Sequence, residues 1–434
     1  MRVLLFAYEF PPVLAAQALR WYYLSNELAR LGVGVDVLAP ALPNHWGFNP
    51  VLEASVKVHR CYPGPFIALS SLGAARLRAP VVVDGAVAMG CSPEGPGSPA
   101  LVRAYRRVRR VLDHVVFPDV RSEWLPFAWR AARRLHATRR YDLVISSHEP
   151  GVDLLLGLRA QRAWRLPWIA DLADPLLAPY TPRWRNRLDL LLERRVCRRA
   201  NGIVVTTEAV AKTLAKRHTL PQDRFTLIRQ GFNQDWQPDL SHRLPDGWPT
   251  DGFVALFTGT FYAGFRTPGA LIRALQMLSD LRVVLVGDTG PFAQDFRALG
   301  DRVRLLGKQP HDTCLALQRR ADVLINLGNR DDDQVPGKIY EYFGAGRPVL
   351  HLAASPTDPV PAMLRRLRRG IAVPNESGHI AAALAGLRDQ WRAGSLDDAF
   401  DLSGEGVAAF SWQAQAVCLC ALLRRHCAHT PQAR

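Results

Sequence analysis

Long apolar runs are missing from this 434-residue sequence: no stretch approaches the roughly eighteen consecutive apolar residues that a bilayer-crossing helix needs. The chain is therefore expected to meet a membrane only from the side. Cysteine is scarce, seven residues scattered from Cys61 to Cys427 with no repeated spacing, which argues against a disulfide frame and for reduced thiols in the cytoplasm. Cys418, Cys420, His426 and Cys427 gather near the end, but in an apolar helical run where core packing suits them better than a metal. Acid is also in short supply. Asp and Glu number 39 against 55 Lys and Arg, a net charge of +16 and a pI near 10.1. That balance implies anionic company: phosphorylated ligands, nucleic acid or the acidic surface of a membrane.

What is present describes an ordinary globular protein, 48% hydrophobic and 22% charged. It exceeds the size at which one core keeps growing, so two domains of roughly 200 residues are expected. MRVLLFAYEF, with one basic residue and a short apolar run before the turn at Pro11 and Pro12, reads as a first strand and not as a signal peptide. Strand, loop, amphipathic helix (Leu19 to Leu31) and strand (Gly34 to Ala39) then open a doubly wound parallel sheet. In such sheets ligands bind beyond the carboxyl ends of strands, which places the Glu9 to Arg20 loop in a cleft wall. Residues 41–100 read as a variable excursion with weak strand signals at Val56 to His59 and Pro80 to Val83.

From Arg103 to Arg140 eleven arginines face three acids, with Tyr105, Trp124, Phe127 and Trp129 interleaved. An interfacial helix against anionic lipid and a plain solvated helix face suit this pattern equally. Nucleic acid comes well behind, since no recognised motif accompanies the arginines. Strands and helices then alternate to Arg229, and a second alternation starts at Phe253. Between them Gln234 to Gly252, rich in proline and glycine, is the expected boundary. The divisions are 1–235 for a first Rossmann-like domain, 250–405 for a second, and 406–434 for a last helix bracing the first.

The stretch QVPGKIYEYFGAGRPVL, Gln334 to Leu350, carries the clearest local signal. Pro336 and Gly337 open a helix, Lys338 and Glu341 lie one turn apart on one face, and Ile339, Tyr340 and Phe343 supply the apolar side. Free N–H groups and a partial positive charge at such a start make a phosphate seat; the competing reading is an ordinary capped helix. Gly259, just after the second domain's first strand, would let backbone approach an anion.

In order along nearly the whole chain, Phe10-Pro11-Pro12 with Arg20, Ser147-His148-Glu149-Pro150, LIRQGFN (Leu227 to Asn233), FTGTFYAGFR (Phe257 to Arg266) and the Gln334 stretch resemble the motifs of the GT-B glycosyltransferases of family 4, the group 1 type. The resemblance implies two Rossmann-like doubly wound domains facing across a cleft. It implies a retaining transferase that takes a sugar from a nucleoside diphosphate sugar, UDP ahead of GDP, to a glycan or polyprenyl-linked acceptor in surface polysaccharide synthesis, with 1–235 as the acceptor domain and 250–405 as the nucleotide-sugar domain. In that scheme the leaving phosphate accepts the acceptor's proton, and neither metal nor cofactor is expected. By residue, it implies that His148, Asp333, Arg266 and Lys338 act at the reaction centre. Gly259, Thr260, Pro336, Gly337 and Glu341 would bind the donor, and Pro12, Arg20 and Asp174 would line the acceptor side. The sequence departs from the pattern at Asp333, where glutamate is usual, at Thr260, where some relatives are basic, and at Ala15, Ala16, Ala173 and Gln230. A nucleotide-sugar epimerase and a non-catalytic partner of the same fold are the competing readings.

Overall fold

The computed structural model describes residues 1–44, 48–69, 116–177, 183–236, 244–261, 266–329 and 334–428. Two compact units divide the chain: residues 1–229 with 415–434, and residues 230–414.

The first unit is built on a seven-stranded parallel sheet. β1 (Arg2–Phe6), β2 (Gly34–Pro40), β3 (Val56–Cys61), β4 (Leu143–Ser146), β5 (Trp168–Asp171), β6 (Gly202–Val205) and β7 (Phe225–Leu227) take the order β3-β2-β1-β4-β5-β6-β7. Strands such as LVIS in β4 are apolar throughout because helices cover both faces. Val56 to His59, a weak signal in sequence, is a full edge strand in register with β2 from Val35↔Val56 onward. The helices are α1 (Ala16–Arg30), α2 (Leu125–Thr138), α3 (Val152–Trp164), α4 (Asn186–Arg199) and α5 (Glu208–His218). Thr207 caps α5 by accepting the Val210 amide at 3.1 Å.

The second unit is a six-stranded parallel sheet of β8 (Val254–Thr260), β9 (Arg282–Asp288), β10 (Val303–Gly307), β11 (Val323–Leu327), β12 (Val349–Ala353) and β13 (Gly370–Pro374), ordered β10-β9-β8-β11-β12-β13. Its helices are α6 (Gly269–Gln276), α7 (Ala293–Arg297), α8 (His311–Arg320), α9 (Lys338–Ala345), α10 (Val360–Leu367) and α11 (Ser377–Arg392). The sequence reading has no counterpart for α10, β13 and α11. Gly370 shows why β13 fits: a Cβ there would lie 2.0 Å from the Val349 carbonyl oxygen, so only glycine lets the edge strand close. The last helix, α12 (Trp412–Ala428), belongs to the first unit from Gln415 onward, where Arg424 donates to the Leu31 carbonyl at 3.4 Å.

Among the described residues no helix is long and apolar enough to cross a membrane. Pro80 to Val83, and the basic stretch as far as residue 115, lie outside the described residues. The remainder of that stretch is α2 and the turn before it. Its rings are buried or half-buried. Trp124 is fully buried and meets Tyr8 edge-on at 5.3 Å, and Trp129 stacks on Trp164 at 5.2 Å. Arg130, Arg133 and Arg134 are exposed and, with Arg159 over the Trp129 ring at 4.9 Å, line a groove of about 640 Å³.

Candidate functional site

In each unit the strand order reverses beside the first strand, between β1 and β4 and between β8 and β11. Loops leaving the carboxyl ends of such a pair part in opposite directions and open a crevice.

In the first unit the loops after β1 and β4 carry Glu9 to Pro12 and Ser147 to Pro150. His148 is buried, and its Nδ1 has no hydrogen-bond partner among the described residues. Beneath it lies a closed polar network. Arg20 is fully buried; its Nε and Nη2 donate to the two Asp171 carboxylate oxygens at 3.0 and 3.2 Å, and Nη1 and Nη2 donate to the Arg229 and Ile228 carbonyls at 2.9 Å each. Gln17 donates to Ser147 Oγ and to Asp171 Oδ2, both at 3.0 Å. Arg20 thus has no surface to offer an acceptor: it ties β5 and the end of β7 to α1. Pro12 and Asp174 are half-buried on the loops after β1 and β5.

Glu9 and Arg121, which the sequence did not single out, form an ion pair at 3.2 Å beside this crevice. Burial raises the Glu9 carboxyl above its ordinary value, against the pull of Arg121, and Glu149 adds to the rise. Asp153, fully buried, accepts the Tyr8 amide at 2.8 Å, and its burial pushes it well above the usual carboxylate range.

In the second unit α9 starts at Lys338, as the Pro336-Gly337 opening predicts. Its first amides are partly committed: Ile339 donates to the Pro336 carbonyl at 3.0 Å and Tyr340 to that of Gly337 at 3.3 Å. Tyr342 on the buried face pins the helix, its hydroxyl accepting the Thr258 amide at 2.9 Å at the end of β8. Opposite, Lys338 Nζ meets Glu341 Oε1 at 2.7 Å. Gln318 from α8 donates to the same Glu341 oxygen and to Thr258 Oγ1 at 3.1 Å. Burial alone would raise the Glu341 carboxyl, yet Lys338, with His311 and Gln318, holds it below its ordinary value. Glu341 keeps Lys338 above its own despite burial.

Arg266 Nη2 donates to Asn329 Oδ1 at 2.5 Å, and Asn329 in turn donates to the Gln334 carbonyl at 3.3 Å. Asn329, invisible to the motif reading, therefore ties Arg266 to the loop that leads into α9. Asp333, with Arg330, Asp331 and Asp332, lies outside the described residues. Gly259 and Thr260 end β8 in register with Gly287 and Asp288. A Cβ on Gly287 would fall 1.8 Å from the Gly259 carbonyl oxygen, which identifies Gly287 as the glycine this close approach demands. Below, His351 on β12 joins Asn326 and Asp358, each at 2.8 Å. Among the described residues no group of three His, Cys, Asp or Glu side chains is assembled as a metal would need.

Two parallel doubly wound units, each with its crevice at the strand reversal, define the GT-B class of fold. Residues 16–231 match the glycosyl transferase 4-like domain, which places this part of the chain among the GT-B glycosyltransferases of the group 1 type. D-inositol 3-phosphate glycosyltransferase of Mycolicibacterium smegmatis is 27% identical over 216 residues, 44% of this chain and 48% of that protein. The chain thus spans about half the length of this relative. Among solved structures, sucrose-phosphate synthase of Thermosynechococcus elongatus superposes with a TM-score of 0.68 at 18% identity, covering 99% of this chain and 100% of that one. Anabaena HepE in complex with UDP and glucose gives 0.61 at 15%, covering 98% and 100%. The E. coli trehalose-6-phosphate protein bound with UDP-2-fluoro glucose gives 0.63 at 10%, covering 98% and 99%.

Proposed function

We propose that the protein moves a sugar, with retention, from a nucleoside diphosphate sugar to a glycan or lipid-linked acceptor in surface polysaccharide synthesis, working at the inner face of a membrane. The observation that carries this reading is the Lys338–Glu341 pair, fixed by Tyr342 and Gln318 at the start of α9 beside the strand reversal. A diphosphate seated there meets the Lys338 ammonium, the amides of Gly337 and Lys338, and the Arg266 guanidinium that Asn329 holds in place. Glu341 accepts hydrogen bonds from the ribose hydroxyls. Permanent cations and a helix start stabilise the departing diphosphate, so the reading calls for no metal. The leaving phosphate takes the acceptor's proton as the new glycosidic bond forms on the same face of the sugar. His148 Nδ1 and Asp333 are assigned to sugar hydroxyls, and Pro12 and Asp174 to the acceptor. Arg20 acts by holding Asp171. UDP is placed ahead of GDP, in keeping with the ligands of the two uridine-nucleotide complexes above.

The test is a panel of UDP and GDP sugars, read by thermal stabilisation and by sugar release, for wild type, Glu341→Ala and Arg266→Ala. A donor should raise the unfolding temperature of the wild type, and both variants should lose most of that rise. Unchanged donor affinity in both would defeat the site assignment. Epimerised donor in the absence of acceptor would favour the isomerase reading.

A further inference from the structure

Helix α4 is the most unusual surface of the first unit. Its two carboxylates are turned inward and neutralised. Asp189 is held by Arg185 at 3.1 Å, and Glu193 by Arg217 at 2.8 Å and His218 at 2.7 Å. The outward face is left with arginine and large apolar side chains alone. Trp184, in the short turn Arg183–Arg185 that leads into α4, and Leu188 and Leu191 on the helix, at spacings of four and three, are 46%, 40% and 61% exposed. Arg187, Arg194 and Arg195 flank them, all exposed. Among the described residues no carboxylate pairs with these three arginines. Single exposed leucines are ordinary, but a tryptophan and two leucines on one helical stripe amid uncompensated cations are not.

We propose that this face of α4 docks the protein on an anionic phospholipid surface. Leucines and a tryptophan on such a helix sink to the level of the headgroups, while arginines extend their charged ends to lipid phosphate. A second copy of the chain is a poor occupant, because two faces bearing only positive charge repel on close approach. Nucleic acid would make no use of the leucines. The contrast with α2 is direct: there the arginines are exposed but Trp129 is half-buried, stacked on Trp164 and covered by Arg159, so no large apolar side chain stands out as Trp184 and Leu191 do. The inference rests on the membrane component of the proposed function and names its surface.

The experiment is vesicle co-sedimentation of the full chain with phosphatidylcholine alone and with added phosphatidylglycerol, without nucleotide or acceptor. Its failure would therefore leave the sugar-transfer reading standing. Binding is expected to the anionic vesicles only. Arg194→Ser with Arg195→Ser should weaken it about thirtyfold, at the usual worth of each basic residue near such a surface. Leu188→Ser with Leu191→Ser should weaken it at least tenfold with an unchanged unfolding temperature, because neither side chain serves the core. Arg130→Ser with Arg133→Ser removes the same charge from α2 and should leave affinity within about threefold. Three results would overturn the proposal: no binding to anionic vesicles, equal losses for the α4 and α2 arginine pairs, or a wild-type dimer that the two leucine substitutions turn into monomer.

Discussion

Lys338 and Glu341, both at the start of α9, hold each other at 2.7 Å. Each is assigned to a different part of the donor, so donor binding must draw Lys338 toward phosphate while Glu341 turns to the ribose. Lys338→Met should leave Glu341 in a largely buried place with only Gln318 and His311 to answer its charge. We expect a loss of about 1–3 kcal/mol in urea unfolding. Donor affinity should fall as well, read by calorimetry. A variant as stable as wild type would show that the pair contributes nothing in the free protein.

The same pair sets a pH dependence. Glu341 has a folded value below its ordinary 4.5, so its stabilising contribution is fully present above about pH 4.5 and is lost as pH falls through the lower folded value. Lys338 has a folded value above its ordinary 10.5, so its contribution is complete below that pH and is lost as pH rises through the higher one. Unfolding free energy of Glu341→Gln should therefore run parallel to wild type from pH 6 to 9, about those bounds, and converge with it in acid. Divergence in acid would contradict the assignment.

Arg20 and Asp171 are both without solvent exposure and are bonded through two N–H···O contacts. Arg20→Met strands a buried carboxylate and leaves the Ile228 and Arg229 carbonyls without their donor. The expected cost is about 3–5 kcal/mol in chemical unfolding. In a folded fraction of this variant, donor affinity measured by calorimetry should stay within about twofold, since the change lies in the first unit.

Two glycine substitutions should act in opposite directions. Gly287→Ala places a methyl group 1.8 Å from the Gly259 carbonyl oxygen at φ +131°, and should abolish folding or lower the melting temperature severely. Gly386→Ala, within α11 with nothing in reach of the added methyl, should raise stability by about 0.5–1 kcal/mol. Differential scanning calorimetry on both decides the matter.

The elements that were legible in sequence are those whose signal is local. β1, β4 and β6 are apolar runs, α9 has proline and glycine at its start and Gly346 in the left-handed conformation at its end, and these patterns locate it within a residue or two. Lys338 and Glu341 were legible as a pair because three residues on a helix always bring two side chains to one face. α10, β13 and α11 escaped because β13, GIAVP, is short and half-buried, and its fit depends on Gly370 meeting Val349 across a gap of many residues.

By itself, then, the sequence determined two alternating α/β units, a basic character and the residues one helical turn apart at the start of α9, since each follows from neighbours along the chain. Only tertiary structure decided that Arg20 is sequestered by Asp171, 151 residues away, and that Asn329 holds Arg266 across 63. It also decided that Trp124 is buried before α2 and Trp129 stacks on Trp164, while Trp184, Leu188 and Leu191 stand exposed at α4. Burial and pairing depend on what the rest of the chain brings to a side chain, and no local pattern encodes that.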